Sequence, residues 1–372
     1  MGLSGAGDPR EMVELFTLAG SVSRIAPLPG GHINDSFRVD AGSESYLLQR
    51  LNRHVFLDAG AVMDNVSRVT GHVAARLRAA GVADWRRRTL TLVSARNGAD
   101  WVQDGEGAAW RMFCFITGTL VRERAESPAD ARAAGRIFGE FLRLLADYHG
   151  APLTETIPGF HDTAARFERL EQAVRKDARR RVAGARLEIE LAMNQRRLAD
   201  VLPPLLRSGA VPSRIAHNDA KLSNVLLDER SGEPLCVVDL DTVMPGSALY
   251  DFGDLVRSVT SPSLEDEEDL SQVGVRVPMF EALARGYLEA AGAVFTSVER
   301  DLLVFAGRLI TLEQAVRFLT DHLEGDRYYR IARSGHNLIR ARTQLRLFES
   351  LTGREEELQG IIRTLATTPS SS

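Results

Sequence analysis

Lysine is almost missing from these 372 residues: Lys176 and Lys221 are the only two, and the rest of the positive charge is arginine. Any site that needs an ammonium group has two places to find one. Cysteine is as scarce. Cys114 and Cys236 each lie inside a short apolar run, which predicts buried reduced thiols and leaves no disulfide framework. No apolar run approaches the roughly eighteen residues of a membrane span. The opening MGLSGAGDPREMVELF has no basic segment followed by an apolar core, so a reducing cytoplasm is the expected compartment. A net charge of −4 offers no field that would gather nucleic acid or an anionic membrane, and neither partner is expected. The ends, 1–8 and 367–372, are small and polar and are expected to fray.

What is present is an ordinary globular composition, 44% apolar and 26% charged, in a chain longer than one core usually serves, so two lobes are expected. The chemistry gathers at 215–254, IAHNDAKLSNVLLDERSGEPLCVVDLDTVMPGSALYDFGD. Apolar runs at 214–216, 225–227 and 235–238 are too short for helices and are bounded by turn-formers, which predicts strand, loop, hairpin and loop. Asp219 and Asn224 stand in the first loop, and Asp239 and Asp241 close the last strand. A hairpin returns the chain beside its start, so these oxygens can converge. Ligands of this kind suit Mg²⁺, which is held by one or two carboxylates together with substrate phosphates. The order His-x-Asp-x-Lys-x-x-Asn, followed by a strand ending in Asp, is the catalytic-loop and metal-Asp arrangement of protein-kinase-like enzymes. On that template Asp219 accepts the proton of an acceptor hydroxyl, Asn224 and Asp239 hold Mg²⁺, and Lys221 reaches the γ-phosphate. His217 is read as a support for the loop.

Upstream, runs at 22–28, 37–39 and 45–51 are separated by a Pro-Gly-Gly turn and an Asp-Ala-Gly-Ser turn, the pattern of a small antiparallel sheet. Gly30 and Gly31 allow close approach of backbone to phosphate oxygens, and Asn34 and Ser36 can donate to them. The template's third-strand lysine is missing. Arg50 is its best substitute, with Gln49 on the opposite strand face. Asp58 caps a helix whose stripe is Val62, Val66, Val69, Val73 and Leu77, from which Asp64 points away. The run WRMFCFITGT is read as a hinge near 113–119, with Phe113 and Phe115 in an apolar wall for adenine. From 129 onward the periodicity is helical, including 187–206 as one stretch, and 265–269 is read as a solvated acidic loop. The expected architecture is a bilobal, protein-kinase-like α+β fold. It has a nucleotide-binding lobe over 1–116 and a mainly helical catalytic and substrate-binding lobe over 117–372.

The loop His217-x-Asp219…Asn224 with Asp239 resembles the aminoglycoside phosphotransferase and choline-kinase-like superfamily. More narrowly, GGHIND at 30–35, YLLQRLN at 46–52, IPGFHDT at 157–163, VVDLDTVMPGSALYDFGD at 237–254 and RFLTDHLEGDRYY at 317–329 are similar to the N-acetylhexosamine 1-kinases. That resemblance implies transfer of the γ-phosphate of ATP, with Mg²⁺, to the anomeric hydroxyl of an N-acetylhexosamine. It implies Asp219 as base, Asp239 as metal ligand, Asp241 as a further acid of the metal site, and the turn at Gly30 and Gly31 as the nucleotide loop. It also places His161, Arg317 and Asp321 near the sugar. Two other readings stay open: a kinase for a different small hydroxyl compound, such as another sugar, an aminoglycoside, choline or homoserine, and a nucleotide-binding regulatory module without catalysis.

Overall fold

A computed structural model describes residues 7–28 and 33–367. Gly30 and Gly31 lie outside the described residues. The chain gathers into two compact units, Met1–Leu120 with Tyr148–Pro158 and Leu226–Met244, and Val121–Asp147 with Gly159–Val225 and Pro245–Ser372. Where the sequence suggests one cut after residue 116, the backbone changes unit several times. The physical reason is the long hairpin after Asn224, whose first strand pairs with residues 119–120.

The first unit is built on a five-stranded antiparallel sheet. Its strands are β1 (Val22–Pro27), β2 (Asp35–Ala41), β3 (Glu44–Arg50), β4 (Trp101–Gln103) and β5 (Ala109–Cys114), in the order β1-β2-β3-β5-β4. Gly42, at φ 58°, turns β2 into β3 through a two-residue loop that an L side chain would strain. One sheet face buries Val39, Tyr46, Leu48, Trp110 and Met112 against Met12 and Val13 of the short α1 (Pro9–Val13) and Phe16 just after it. Helix α2 (Ala59–Ala79) starts at Asp58, whose carboxylate accepts from the Ala61 amide, and buries the stripe read from its periodicity. Asp64 points outward to Arg68 at 2.9 Å. Beside it, Asn65 is buried and spans the Thr154 and Val243 backbone. The run at 90–93 joins the sheet only through an isolated bridge, Leu92 to Phe113. After α3 (Trp85–Arg88), this unit also carries β6 (Thr119–Leu120) and the hairpin of β8 (Val225–Asp228) and β9 (Pro234–Val237), in the order β6-β8-β9.

The second unit is mainly helical, with a short strand, β7 (Arg214–Ala216), that pairs with β10 (Met244–Gly246). Its helices are α4 (Pro128–Leu145), α5 (Thr163–Lys176), α6 (Arg186–Met193), α7 (Leu202–Arg207), α8 (Ala248–Val259), α9 (Val277–Ala291), α10 (Ser297–Asp301), α11 (Leu303–Glu324), α12 (His336–Gly353) and α13 (Glu355–Thr367). The stretch 187–206, read as one helix, breaks into α6, a 3₁₀ turn and α7, because Pro203 and Pro204 are compatible only with a helix's first turn. Helix α11 is the central post, burying Leu312, Val316 and Leu319 with Phe167 of α5 and Leu345 of α12. The acidic run at 265–269 is tied down: Glu265 pairs with Arg257 at 2.6 Å, and Asp266 with Arg333 and His336 at 3.2 and 3.0 Å.

Helices α4 and α9 cross at contact distance. A Cβ at Gly135 would strike the Leu283 carbonyl, and one at Gly286 would strike the Arg132 carbonyl. The capping box of Ser127 and Asp130 fixes the start of α4, and so the height at which Phe138 and Phe141 meet their neighbours. Those two rings flank the loop after β7.

Candidate functional site

β7 delivers the chain to His217, and one carboxylate fixes the backbone there. Asp251, in the first turn of α8, accepts from the amides of His217 at 2.9 Å and Asn218 at 2.7 Å. Asn218 has φ 63°, a left-handed conformation that asparagine tolerates better than most residues. Gly246 makes room for it, since a Cβ there would collide with Asn218 Oδ1. His217 is buried, edge-on to Phe138 and Phe141, and its Nδ1 accepts the Asp219 amide at 3.3 Å.

Asp219 projects from this braced backbone with 27% of its side chain exposed. Its Oδ2 accepts from Lys221 Nζ at 2.8 Å and from Asn224 Nδ2 at 3.2 Å. Asn224 Nδ2 also donates to the Asp219 carbonyl at 2.9 Å. Burial alone would raise the Asp219 pKa, but the Lys221 ammonium, with His217 and Arg257 behind it, holds the carboxyl well below the usual carboxylate range. Asp219 is therefore ionised at neutral pH, and its Oδ1 has no hydrogen-bond partner among the described residues. Asp254 lies nearby on α8, paired with Arg257 at 2.8 Å. Burial pushes the Asp254 carboxyl up against the pull of Arg257, and the charge of Asp219 adds to that rise.

The residues expected near an acceptor also belong to the second unit. His161 is buried, with Nδ1 2.9 Å from Glu313 Oε1 and Nε2 3.0 Å from the Asn218 carbonyl, and it stacks on Tyr250 at 4.5 Å. The Arg317 guanidinium lies over the rings of Phe160, Tyr329 and Tyr328 at 5.0, 5.8 and 6.0 Å. A cleft is lined by Arg166, Arg169, Arg317, Thr320, Tyr328, Tyr329 and Glu324, the last paired with Arg169 at 2.6 Å. Neither Arg166 nor Arg317 has a carboxylate at ion-pair distance among the described residues. Asp321 lines the cleft as well, yet its carboxylate is committed to the turn after α11. It accepts from the amides of Arg327, Tyr328 and Tyr329 at 2.8 to 3.0 Å, and from Asn337 Nδ2 at 2.9 Å.

The remaining residues lie in the first unit. Gln49 and Arg50 alternate across β3. Arg50 is within 3.6 to 3.9 Å of Asp35, Asp104 and Glu106, so its charge is shared among three acids. Gln49 Oε1 accepts from Arg111 Nη2 and Nε at 2.9 and 3.1 Å, and its amide donates to Ser36 Oγ at 3.0 Å. Arg111, on β5, also pairs with Asp241 Oδ1, while Asn34 Nδ2 donates to Asp241 Oδ2 at 2.6 Å. Asp241, expected to face a metal, thus has a protein partner on each oxygen. Asp239 is exposed in a left-handed conformation at φ 60°, immediately before a 3₁₀ turn, Leu240–Thr242. Phe113 is buried with Arg111 5.1 Å over its ring, and Phe115 is half-buried under Arg38. Among the described residues no group of three or more His, Cys, Asp or Glu side chains forms a metal-holding cluster.

Sequence reasoning missed Arg111 and the double acceptor role of Asp251. The one signal for Arg111 is a single charge inside the apolar run AAWRMFCF, which demands a buried partner.

The model of the phosphotransferase enzyme family matches residues 24–299. The chain belongs to that family. Solved structures agree on the fold. The microcompartment-associated aminopropanol kinase is 18% identical, with a TM-score of 0.63 over 95% of this chain and 98% of that one. Amicoumacin kinase hAmiN, in complex with AMP-PNP, Ca²⁺ and Ami, is 15% identical, with a TM-score of 0.59 over 91% and 93%. The Plasmodium vivax ethanolamine kinase is 13% identical, with a TM-score of 0.53 over 85% and 80%. The antiparallel N-terminal sheet and helical C-terminal part are those of this phosphotransferase fold, and the chain is a small-molecule phosphotransferase acting on a hydroxyl acceptor. No helix among the described residues is long and apolar enough to cross a membrane.

Proposed function

We propose that this phosphotransferase moves the γ-phosphate of ATP to the anomeric hydroxyl of an N-acetylhexosamine, giving the sugar 1-phosphate. The observation that carries the reading is Asp219, ionised, with one oxygen held by Lys221 and Asn224 and the other unpartnered among the described residues. That oxygen is suited to orient an alcohol and accept its proton as the new bond to phosphorus forms. Lys221 is mobile enough to serve both Asp219 and a transferred phosphoryl group, which a braced guanidinium is not. Asn224 and Asp239 would hold Mg²⁺, a hard cation that accepts few protein oxygens alongside phosphates. When bound, it neutralises charge between the β- and γ-phosphates. We assign Asp241 to anchoring Asn34 and Arg111 rather than to the cation, and Arg50, Ser36, Phe113 and Phe115 to the nucleotide side, together with the turn at Gly30 and Gly31. We place Arg317 in the acceptor cleft and make Asp321 the support of its tyrosine-bearing wall.

The second reading is a different hydroxyl acceptor, such as the amino alcohols and aminoglycosides of the similar kinases. The cleft bears on this choice. Its aromatic faces, which would cradle an ammonium group, already carry Arg317, Arg166 adds a second cation with no carboxylate at ion-pair distance among the described residues, and the two carboxylates of the lining, Asp321 and Glu324, are engaged by the backbone turn and by Arg169. A neutral, hydroxyl-rich ligand fits these charges better than an amine.

The test is coupled ADP release with Mg·ATP over N-acetylglucosamine, N-acetylgalactosamine, other sugars, ethanolamine, choline, homoserine and an aminoglycoside, with phosphate position read by ³¹P NMR. An anomeric phosphate on an N-acetylhexosamine is the expected result. Turnover confined to an amine acceptor would replace the sugar. Absence of turnover with measurable ATP binding would favour a regulatory module.

A further inference from the structure

We propose that His161 is a positioning residue, an imidazolium that pins the peptide preceding Asp219 in its working orientation. Both groups facing its ring nitrogens are oxygen acceptors with no proton to give: a carboxylate, Glu313 Oε1, at 2.9 Å and a backbone carbonyl, Asn218, at 3.0 Å. A neutral imidazole has one N–H and one lone pair, so it would satisfy one acceptor and turn a lone pair toward the other. Two donors require the cation. The site is built to keep it: Glu313 is buried, with its second oxygen taken by Thr163 Oγ1 at 2.5 Å, and the ring stacks on Tyr250.

The consequence falls on residue 218. Its N–H is held by Asp251 and its carbonyl by His161, so a left-handed, non-glycine residue is clamped from both sides one position before Asp219. The titratable groups around the ring come from every packed element: Glu313 and Arg317 from α11, Asp251, Asp254 and the neutral Tyr250 from α8, Asp162 on its own segment, and the loop with Asp219. Burial opposes the cation and Arg317 adds to that, while Glu313 and Asp254 together prevail, so the His161 pKa stands above the ordinary histidine value. A raised pKa means that the stabilising contribution is complete below about 6.5, the unfolded value, and is lost as pH rises through the native value. The clamp loosens on the alkaline side.

The effect on turnover rests on Asp219 being the catalytic base; the clamp itself does not. The test therefore has two arms on the full chain. In the first, ¹⁵N-histidine NMR reads the His161 ring at pH 7, and hydrogen exchange reads the peptide spanning 215–225. Two protonated ring nitrogens are expected, with protection of that peptide falling in His161→Gln. A neutral ring at pH 7, or unchanged protection, overturns the proposal. Should H161Q fail to fold, Glu313→Gln supplies both the assignment and the test, because it should move the ring's titration to lower pH. In the second arm, H161Q should lower kcat by about 10²-fold, the scale of a small misplacement of a reacting group, with KM for Mg·ATP little changed. In E313Q the alkaline limb of kcat should shift to lower pH. Unchanged kcat in folded H161Q overturns the positioning role. If no acceptor is turned over, the proposed sugar kinase activity fails while the first arm still decides the clamp.

Discussion

Asp219 and Asp241 each face one basic side chain, and the two pairs are built in opposite ways. Asp219 keeps 27% of its side chain exposed, takes a flexible ammonium on one oxygen and leaves the other unpartnered among the described residues. Asp241 is 2% exposed, with a planar guanidinium on one oxygen and Asn34 on the other, and that guanidinium is in turn braced by Gln49. The first pair lowers a pKa without using up the carboxylate; the second uses it up to hold backbone in place. A motif acid is thus a candidate for chemistry only after its oxygens have been counted.

The comparison is most directly broken at Asp219. Asp219→Asn should cut kcat by about 10²–10⁴-fold, the usual contribution of a positioned acid or base, with nucleotide affinity close to that of the parent chain. Turnover at the parent rate would move the base elsewhere. The complementary change, Arg111→Met, leaves Asp241 buried without its cation and should cost about 3–5 kcal/mol in urea unfolding. Adding Asp241→Leu should recover part of that loss, because the uncompensated charge is removed. A cost below about 1 kcal/mol would mean that the pair behaves like a surface bridge. A smaller effect tests the scaffold behind Asp219. Gly135→Ala forces α4 from α9 and should cost about 1–3 kcal/mol, and through Phe138 and His217 it should also lower kcat. A stability loss with kcat intact would uncouple that helix crossing from the loop.

Local signals made much of this legible. Alternation and turn residues mark β1 to β3, the stripe of Val62 through Leu77 marks α2, and the spacing from His217 to Asn224 marks the loop. Each is a pattern whose meaning is complete within about twenty residues. What was not legible depends on pairs far apart in sequence. Arg111 and Asp241 are 130 residues apart, His161 and Glu313 152, and no periodicity joins them. Charge also misleads when read alone. Asp321, which the resemblance places near the sugar, has its acceptors consumed by a backbone turn. The break of 187–206 is written in two prolines that a count of apolar positions overrides.

The subtlest way to sharpen the comparison is the acid side of the pH profile. In the parent chain the Asp219 carboxyl is held down by Lys221 despite its burial. A depressed carboxylate contributes stability that is present above its unfolded value, 3.8, and is lost as pH falls through its native value. Lys221→Met removes the cation but leaves the burial. The Asp219 pKa should then rise, the acid limb of kcat/KM should move to higher pH, and the stability gap between parent and variant should close in strong acid, where Asp219 is protonated in both. An acid limb that stays in place in Lys221→Met would show that something other than this ammonium sets the charge of Asp219. His217 and Arg257 would then be the next sources to test.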